Sequence, residues 1–247
     1  MTPRRYFAVS RELRYSILFA VPLLLLYEGL SAALSGSAYS GIRNGADVLL
    51  KTMFVSLGGR TGLTVFGVLL LGAAVVVVWR DHRRRGGRLA GGVFGVMLVE
   101  SVIYAAILGH VVAQLTAWLL TGRLAILAQR GGVEALPLGT QLVVSLGAGI
   151  YEELLFRVLL VSGIAALGLA LGWRKPIAIG VGVVMSALIF SAFHYVGPMG
   201  DTLTLPSFTF RAVAGLLLSG LYVARGLGIT AWTHALYDVG LALVGAG

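Results

Sequence analysis

The sequence predicts an all-α protein, a polytopic transmembrane helix bundle of about seven spans, and three observations lead there. Mean hydropathy is +0.93, with 58% of the 247 residues hydrophobic. Charged residues make up 12%, about half the share usual in a soluble domain. Apolar stretches of about 20 residues recur along almost the whole chain, each long enough to cross a hydrocarbon core of about 30 Å as a helix. At roughly 35 residues per span with its loop, the length leaves no room for a separate soluble domain. Residues 1–247 are therefore expected to form a single integral membrane domain. The 35 glycines suit close helix contacts in lipid, where packing replaces the hydrophobic effect as the driving force. The absence of cysteine excludes disulfides, thiolate metal sites, a cysteine nucleophile and thioether lipidation.

Taken in order, the first span runs from about Tyr15 to Ala33. It is expected to be retained rather than cleaved, being span-length with no small-residue cleavage site after it. Pro22 inside it is tolerable because membrane helices re-satisfy freed backbone groups locally. In the polar stretch Ser35 to Arg60, the segment Ala46 to Leu57 is apolar but too short to cross, which predicts an interfacial or re-entrant helix. The second span is Thr61 to Trp79, and the third is Leu89 to Leu120, long enough to tilt or to overhang the bilayer. Gly122 to Pro137 reads as a loop. The fourth span, Leu138 to Leu171, is again long and ends at Trp173, Arg174, Lys175 and Pro176. The fifth is Pro176 to about Tyr195; a loop with Pro198 and Pro206 follows. The sixth is Phe208 to Ala224 and the seventh Gly226 to Ala246.

The net charge of +9 is placed as a topology signal and not as a nucleic-acid surface. Arg4, Arg5, Arg11 and Arg14, the run Arg80, Arg83, Arg84, Arg85 and Arg88, then Arg174 with Lys175, and Arg225 give one face twelve positive charges. The other face has five: Arg43, Lys51, Arg60, Arg123 and Arg130. This asymmetry predicts an integral protein of a bacterial inner (cytoplasmic) membrane with its N-terminus in the cytoplasm and its C-terminus outside.

Ionisable groups within spans cost several kcal/mol unless they face a protein interior or a water-filled cavity, so each is a functional candidate. They are Glu28, Glu100, His110, Glu152, Glu153, Arg157, His194, Arg211, His234 and Asp238. Glu153 and Arg157 are four apart with the acid on the N-terminal side, the favourable orientation for a helical ion pair. Glu152 sits about 100° round the helix from Glu153 and cannot share that arginine equally. Two adjacent acids in a dry site push their pKa values apart, leaving one ionised and the other poised to exchange a proton with water. Phe190 and His194 share a helix face at i,i+4, as do His234 and Asp238. The second pair is either a buried hydrogen bond that fixes a tautomer or an electrophilic pair that binds an oxyanion. Acids and histidines gathered from three spans point to a hydrolytic centre.

These residues also carry a resemblance. Glu152-Glu153-Leu-Leu-Phe-Arg157 matches EExxxR, Phe190-Ser-Ala-Phe-His194 matches FxxxH, and His234-Ala-Leu-Tyr-Asp238 matches HxxxN or HxxxD. In order and spacing the chain resembles the CPBP family of intramembrane proteases, which includes the CAAX prenyl endopeptidases and bacterial Abi-type proteins. The resemblance covers residues 149–239, the expected catalytic core, and leaves the first 140 residues with hydropathy alone. It implies a glutamate-activated water, with Glu152 as general base, Glu153 and Arg157 as a supporting ion pair, and His194 holding the water. His234 and Asp238 would polarise the scissile carbonyl. Asp238 stands where prenyl proteases typically have Asn, and a carboxylate cannot donate to an oxyanion unless protonated, so orienting His234 is its better role.

No cofactor is expected. The alternative is zinc at His194, His234 and Glu152, which would fill three positions of a catalytic site; HExxH is absent, and the metal-free form is favoured. The expected function is an intramembrane endopeptidase cutting near the C-terminus of membrane-anchored or lipid-modified protein substrates, within the lipid bilayer and without nucleic acid. A myxosortase-like enzyme trimming the sorting tails of exported proteins is the member the topology suits. The alternative is a non-catalytic immunity or scaffold protein of the same fold, whose usual mark, a lost motif residue, is missing here. A transporter would more naturally show paired broken helices in related halves.

Overall fold

A computed structural model describes residues 2–34, 41–120, 136–197 and 200–245. The expected loop at 122–137 falls almost wholly outside them, as do Arg123, Arg130, Pro198 and Ala246. Among the described residues the chain is helical without strands, and seven helices are long and apolar enough to cross a membrane. The chain is an integral membrane protein.

Helix α1 (Pro3–Ser10) is short, with Pro3 in its first turn and Thr2 as its N-cap, whose hydroxyl accepts from the Arg5 amide. Helix α2 (Leu13–Ala33) is the first span and absorbs Pro22 without ending. Helix α3 (Gly45–Arg85) is broken at Gly58 and Gly59, the latter at φ +56°, a conformation that only glycine adopts without strain. The short apolar segment and the second span are therefore two helices in a tight hairpin. A Cβ on Gly62 would lie 1.9 Å from the Phe54 carbonyl oxygen, so the residue there can only be glycine. The first of the two is not simply interfacial, because Ala46, Asp47 and Leu50 are buried in the core while Met53, Val55 and Leu57 stay exposed.

Helix α4 (Gly91–Leu119) is the third span. The fourth departs from its expected regular form. It begins as α5 (Leu138–Gly147), continues as a π-helix over Ala148–Val161, and ends as α6 (Ser162–Ala170). A π-helix closes i→i+5 hydrogen bonds and mostly occurs as a single turn at functional sites; here it runs for 14 residues and carries Glu152, Glu153 and Arg157. Helices α7 (Lys175–Phe193), α8 (Leu205–Arg225) and α9 (Leu227–Gly245) follow, the last two separated by Gly226 alone.

Helix α9 is the central element and packs against α2, α4, α5, α8 and the π-helical segment. Small residues let it approach closely: a Cβ on Gly149 would meet Ala235 Cβ at 2.4 Å and the Ala231 carbonyl at 2.6 Å. Polar side chains bond across the helices to main-chain carbonyls. Trp232 Nε1 donates to Phe19 O at 2.7 Å, Ser186 Oγ to Phe156 O at 2.5 Å and Ser191 Oγ to Phe208 O at 2.7 Å.

The arginine-rich end of the bundle is tied by charge. Arg14 reaches Glu12 and the Gly86 carbonyl, and Arg85 pairs with Asp81. Arg225 pairs with Glu100 at 2.7 Å and donates to Ser10 Oγ of α1, while Tyr6 donates to the same carboxylate. Burial first, and the Glu100 charge after it, push the Tyr6 phenol up, which keeps it a donor. Glu100 lies nine residues into α4, about 13 Å along its axis. The start of α9 sits level with this point of α4, Ser101 Oγ lying 3.4 Å from the Ile229 carbonyl, which sets the residues of α9 well inside the bundle.

Candidate active site

Four elements converge on one buried polar cluster: the π-helical segment, the end of α7, the middle of α9 and the start of α3. Glu153 and Arg157 have no solvent exposure, and Glu152 and His234 are 6% and 5% exposed. Glu153 Oε1 lies 3.0 Å from Arg157 Nη1 and 2.7 Å from His234 Nδ1. The guanidinium of Arg157 rests over the Phe190 ring with its carbon 4.5 Å from the centroid. Such a cation–π contact compensates part of the desolvation of a buried charge.

Phe190 organises the aromatic floor. Its ring meets Phe156 at 5.2 Å, His194 at 4.7 Å and His234 at 6.1 Å between centroids. The His194 ring follows the last residue of α7 and donates Nδ1–H to the Phe190 carbonyl at 2.8 Å. A carbonyl only accepts, so this bond fixes the tautomer and leaves Nε2 with its lone pair.

His234 is held differently from the sequence expectation. Its Nε2 lies 3.5 Å from Asp238 Oδ2, beyond a good hydrogen bond, whereas its Nδ1 is within bonding distance of Glu153. The orienting partner is Glu153, from another helix, and Asp238 faces the opposite nitrogen. The i,i+4 spacing does put the two side chains on one face of α9; it does not make Asp238 the nearer acid.

Glu152 takes a separate environment from Glu153. Its Oε1 accepts from Asn44 Nδ2 at 2.8 Å, and its Oε2, also buried, has no hydrogen-bond partner. His194, His234 and Arg157 surround it electrostatically. Asn44 was not visible as a site residue in the sequence, where it stands in a polar stretch 108 positions from Glu152. It is placed by close packing, since a Cβ on Gly147 would meet Asn44 Cβ and the Tyr27 ring, each at 2.6 Å.

The remaining intramembrane polar groups are accounted for outside this cluster. Glu28 binds Arg43 at 2.6 Å and Lys51 at 2.8 Å, and accepts from Tyr151. Asp47 pairs with both cations and accepts from Tyr27. Arg211 is bound to Asp201, Ser207 and Tyr195, and closes the turn that follows His194 onto α8. His110 is exposed on α4, away from the cluster.

Among the described residues no three His, Cys, Asp or Glu side chains are gathered closely enough to ligate a metal. The arrangement can divide acid–base work: a free oxygen on each of the two adjacent carboxylates, one imidazole lone pair, and a second imidazole flanked by carboxylates on both nitrogens.

The family model described as type II CAAX prenyl endopeptidase Rce1-like matches residues 134–240 of the chain, a segment that contains Glu152, Glu153, Arg157, His194, His234 and Asp238. No curated protein and no solved structure matches.

Proposed function

We propose, on the premise that this chain belongs through residues 134–240 to the Rce1-like family of type II CAAX prenyl endopeptidases, that it hydrolyses a peptide bond near the C-terminus of a membrane-anchored protein with a water activated by Glu152. Membership in the family indicates a protease acting in a membrane. The observation that carries the mechanism is the split between the two adjacent acids. Both keep Oε2 buried without a hydrogen-bond partner, but Glu153 Oε1 is committed to the Arg157 cation and to His234, while Glu152 Oε1 accepts from the neutral amide of Asn44.

A water held there donates one hydrogen to Glu152 Oε2 and the other to the lone pair of His194 Nε2, which leaves its oxygen lone pair for the scissile carbonyl carbon. As the new C–O bond forms, the water proton passes to Glu152 and the carbonyl π pair moves onto oxygen. A ring flanked by Glu153 and Asp238 can carry protons on both nitrogens, so His234 Nε2–H is the donor to the developing oxyanion. Collapse breaks the C–N bond, and Glu152 returns its proton to the leaving amine. No metal takes part.

The cluster lies at the end of the bundle away from the arginine-rich rim of Arg14, Asp81 and Arg85. With that rim cytoplasmic, the site opens toward the outside, which suits the trimming of sorting tails on exported proteins over the processing of a cytoplasmic prenylated chain. The test is incubation of the purified protein and its Glu152→Ala variant with two reporters, a farnesylated peptide ending in a CAAX sequence and a single-span protein ending in a sorting tail. Products are read by mass spectrometry. Cleavage of the sorting-tail reporter by the wild type and not by the variant is expected. Cleavage of the farnesylated peptide alone would reassign the substrate class; cleavage of neither, or undiminished cleavage by the variant, overturns the reading.

A further inference from the structure

We infer that Asn44 is the positioning residue of the general base, fixing which oxygen of Glu152 receives the proton; the inference rests on the hydrolytic reading of Glu152. Asn44 is 3% exposed and stands immediately before α3 as its N-cap. Its Oδ1 accepts from the Ala46 amide at 2.9 Å. That bond decides which way the side-chain amide faces, because the oxygen is taken by the cap and only the Nδ2 donor is left for Glu152 Oε1 at 2.8 Å. Glu152 Oε1 is thereby occupied and Oε2 is the oxygen presented to water.

The cap is itself held from both sides. Tyr27 Oη accepts from the Asn44 main-chain amide at 3.3 Å and donates to Asp47 at 2.7 Å. Arg43, the preceding residue, joins Asp47 to Glu28; Lys51 bridges the same two acids, at 2.7 Å and 2.8 Å. Tyr151 donates to Glu28 at 2.6 Å from the residue next to Glu152. Two acids and two cations make a neutral cluster that ties α2, the start of α3 and the π-helical segment together around Asn44. A donor on a pre-bound helix cap does not have to reorganise when charge moves on Glu152, which is the property that makes an aligned group effective in catalysis. The N-terminal part of the chain, which carries no family motif, supplies this residue.

Two kinds of substitution separate positioning from mere support. Asn44→Ser keeps an N-cap acceptor and removes the donor to Glu152. On the sorting-tail reporter it should lower kcat roughly ten- to a hundred-fold, the effect of losing one hydrogen bond to a charged group, with KM within about twofold and melting temperature near wild type. A purely structural role would lower stability and leave kcat per folded molecule unchanged. The contact itself is tested without activity by a donor–acceptor exchange. Asn44→Asp keeps the cap but sets two carboxylates against each other, so the melting temperature should fall by several degrees; adding Glu152→Gln restores a donor–acceptor pair across the same contact and should recover it. Normal kcat in Asn44→Ser overturns the inference. So does an Asn44→Asp plus Glu152→Gln protein no more stable than Asn44→Asp alone, which decides the matter even where Asn44→Ser fails to fold. Failure of the hydrolytic reading appears separately, as a wild-type protein that cuts neither reporter or a Glu152→Gln protein that still turns over.

Discussion

Glu153 Oε1 lies 2.7 Å from His234 Nδ1, a contact that ties the π-helical segment to α9 across 81 positions of sequence. Because the same oxygen also faces Arg157, Glu153 couples the ion pair of one helix to the imidazole of another. The second glutamate of the motif is thus a structural hub, and the proposed mechanism gives the chemistry to the first.

Arg157 is expected to act through this hub. Replacing it with Ala leaves Glu153 charged, buried and unpaired on that side, which typically costs about 3–5 kcal/mol. Arg157→Ala should therefore lose yield, melting temperature and activity together, as read by detergent-solubilised thermal denaturation beside turnover. A variant of normal stability without activity would make the arginine a direct contact of substrate or reacting atoms.

Gly149 sets the distance between the same two helices. Gly149→Ala would force a methyl to within 2.4 Å of Ala235 Cβ, and the overpacking should cost about 1–3 kcal/mol and draw Glu153 away from His234. Gly163→Ala, where nothing lies within 4 Å, should be neutral or slightly stabilising. Equal melting temperatures for the two variants would remove the close approach from the account.

The reading of the cluster as metal-free has a direct consequence for chelation. Activity should survive prolonged treatment with EDTA and with 1,10-phenanthroline, since the described donors do not converge on an ion. Loss of activity that added zinc restores would contradict it.

Topology decides between exported and cytoplasmic substrates. The chain has no cysteine, so single thiols can be introduced freely. Ser191 would be a poor reporter because it is fully buried and bound to Phe208 O, whereas Val196, in the turn beyond His194, is 71% exposed. On intact cells a membrane-impermeant thiol reagent should label Val196→Cys and spare Arg84→Cys at the opposite rim. The reverse pattern would turn the site to the cytoplasm and remove the sorting-tail proposal while leaving the protease standing.

The seven spans were legible because hydropathy over about 20 residues is a property of composition, and a bilayer leaves few alternatives to a helix. Glu152, Glu153, Arg157, His194 and His234 were legible because ionisable groups inside apolar stretches stand out one by one. The break at Gly58 and Gly59 was foreshadowed by a segment too short to cross. What the sequence hid is relational. An i→i+5 backbone has no compositional mark, so the π-helix over Ala148–Val161 read as ordinary helix. Asn44 in a polar stretch reads as a turn residue, and its bond to Glu152 follows no local period. His234 was assigned to Asp238 by helical spacing, yet a carboxylate from another helix stands closer.

The measurement that bears most directly on the central claim is the turnover of Glu152→Gln beside wild type on the cleaved reporter, at matched melting temperature in detergent. Glutamine keeps the size of the side chain and can still accept from Asn44 Nδ2, but it cannot take a proton from water. The account predicts a fall of about 10²- to 10⁴-fold in kcat with the fold intact, the range a general base contributes. Turnover within a few-fold of wild type would show that Glu152 is not the base and would contradict the account.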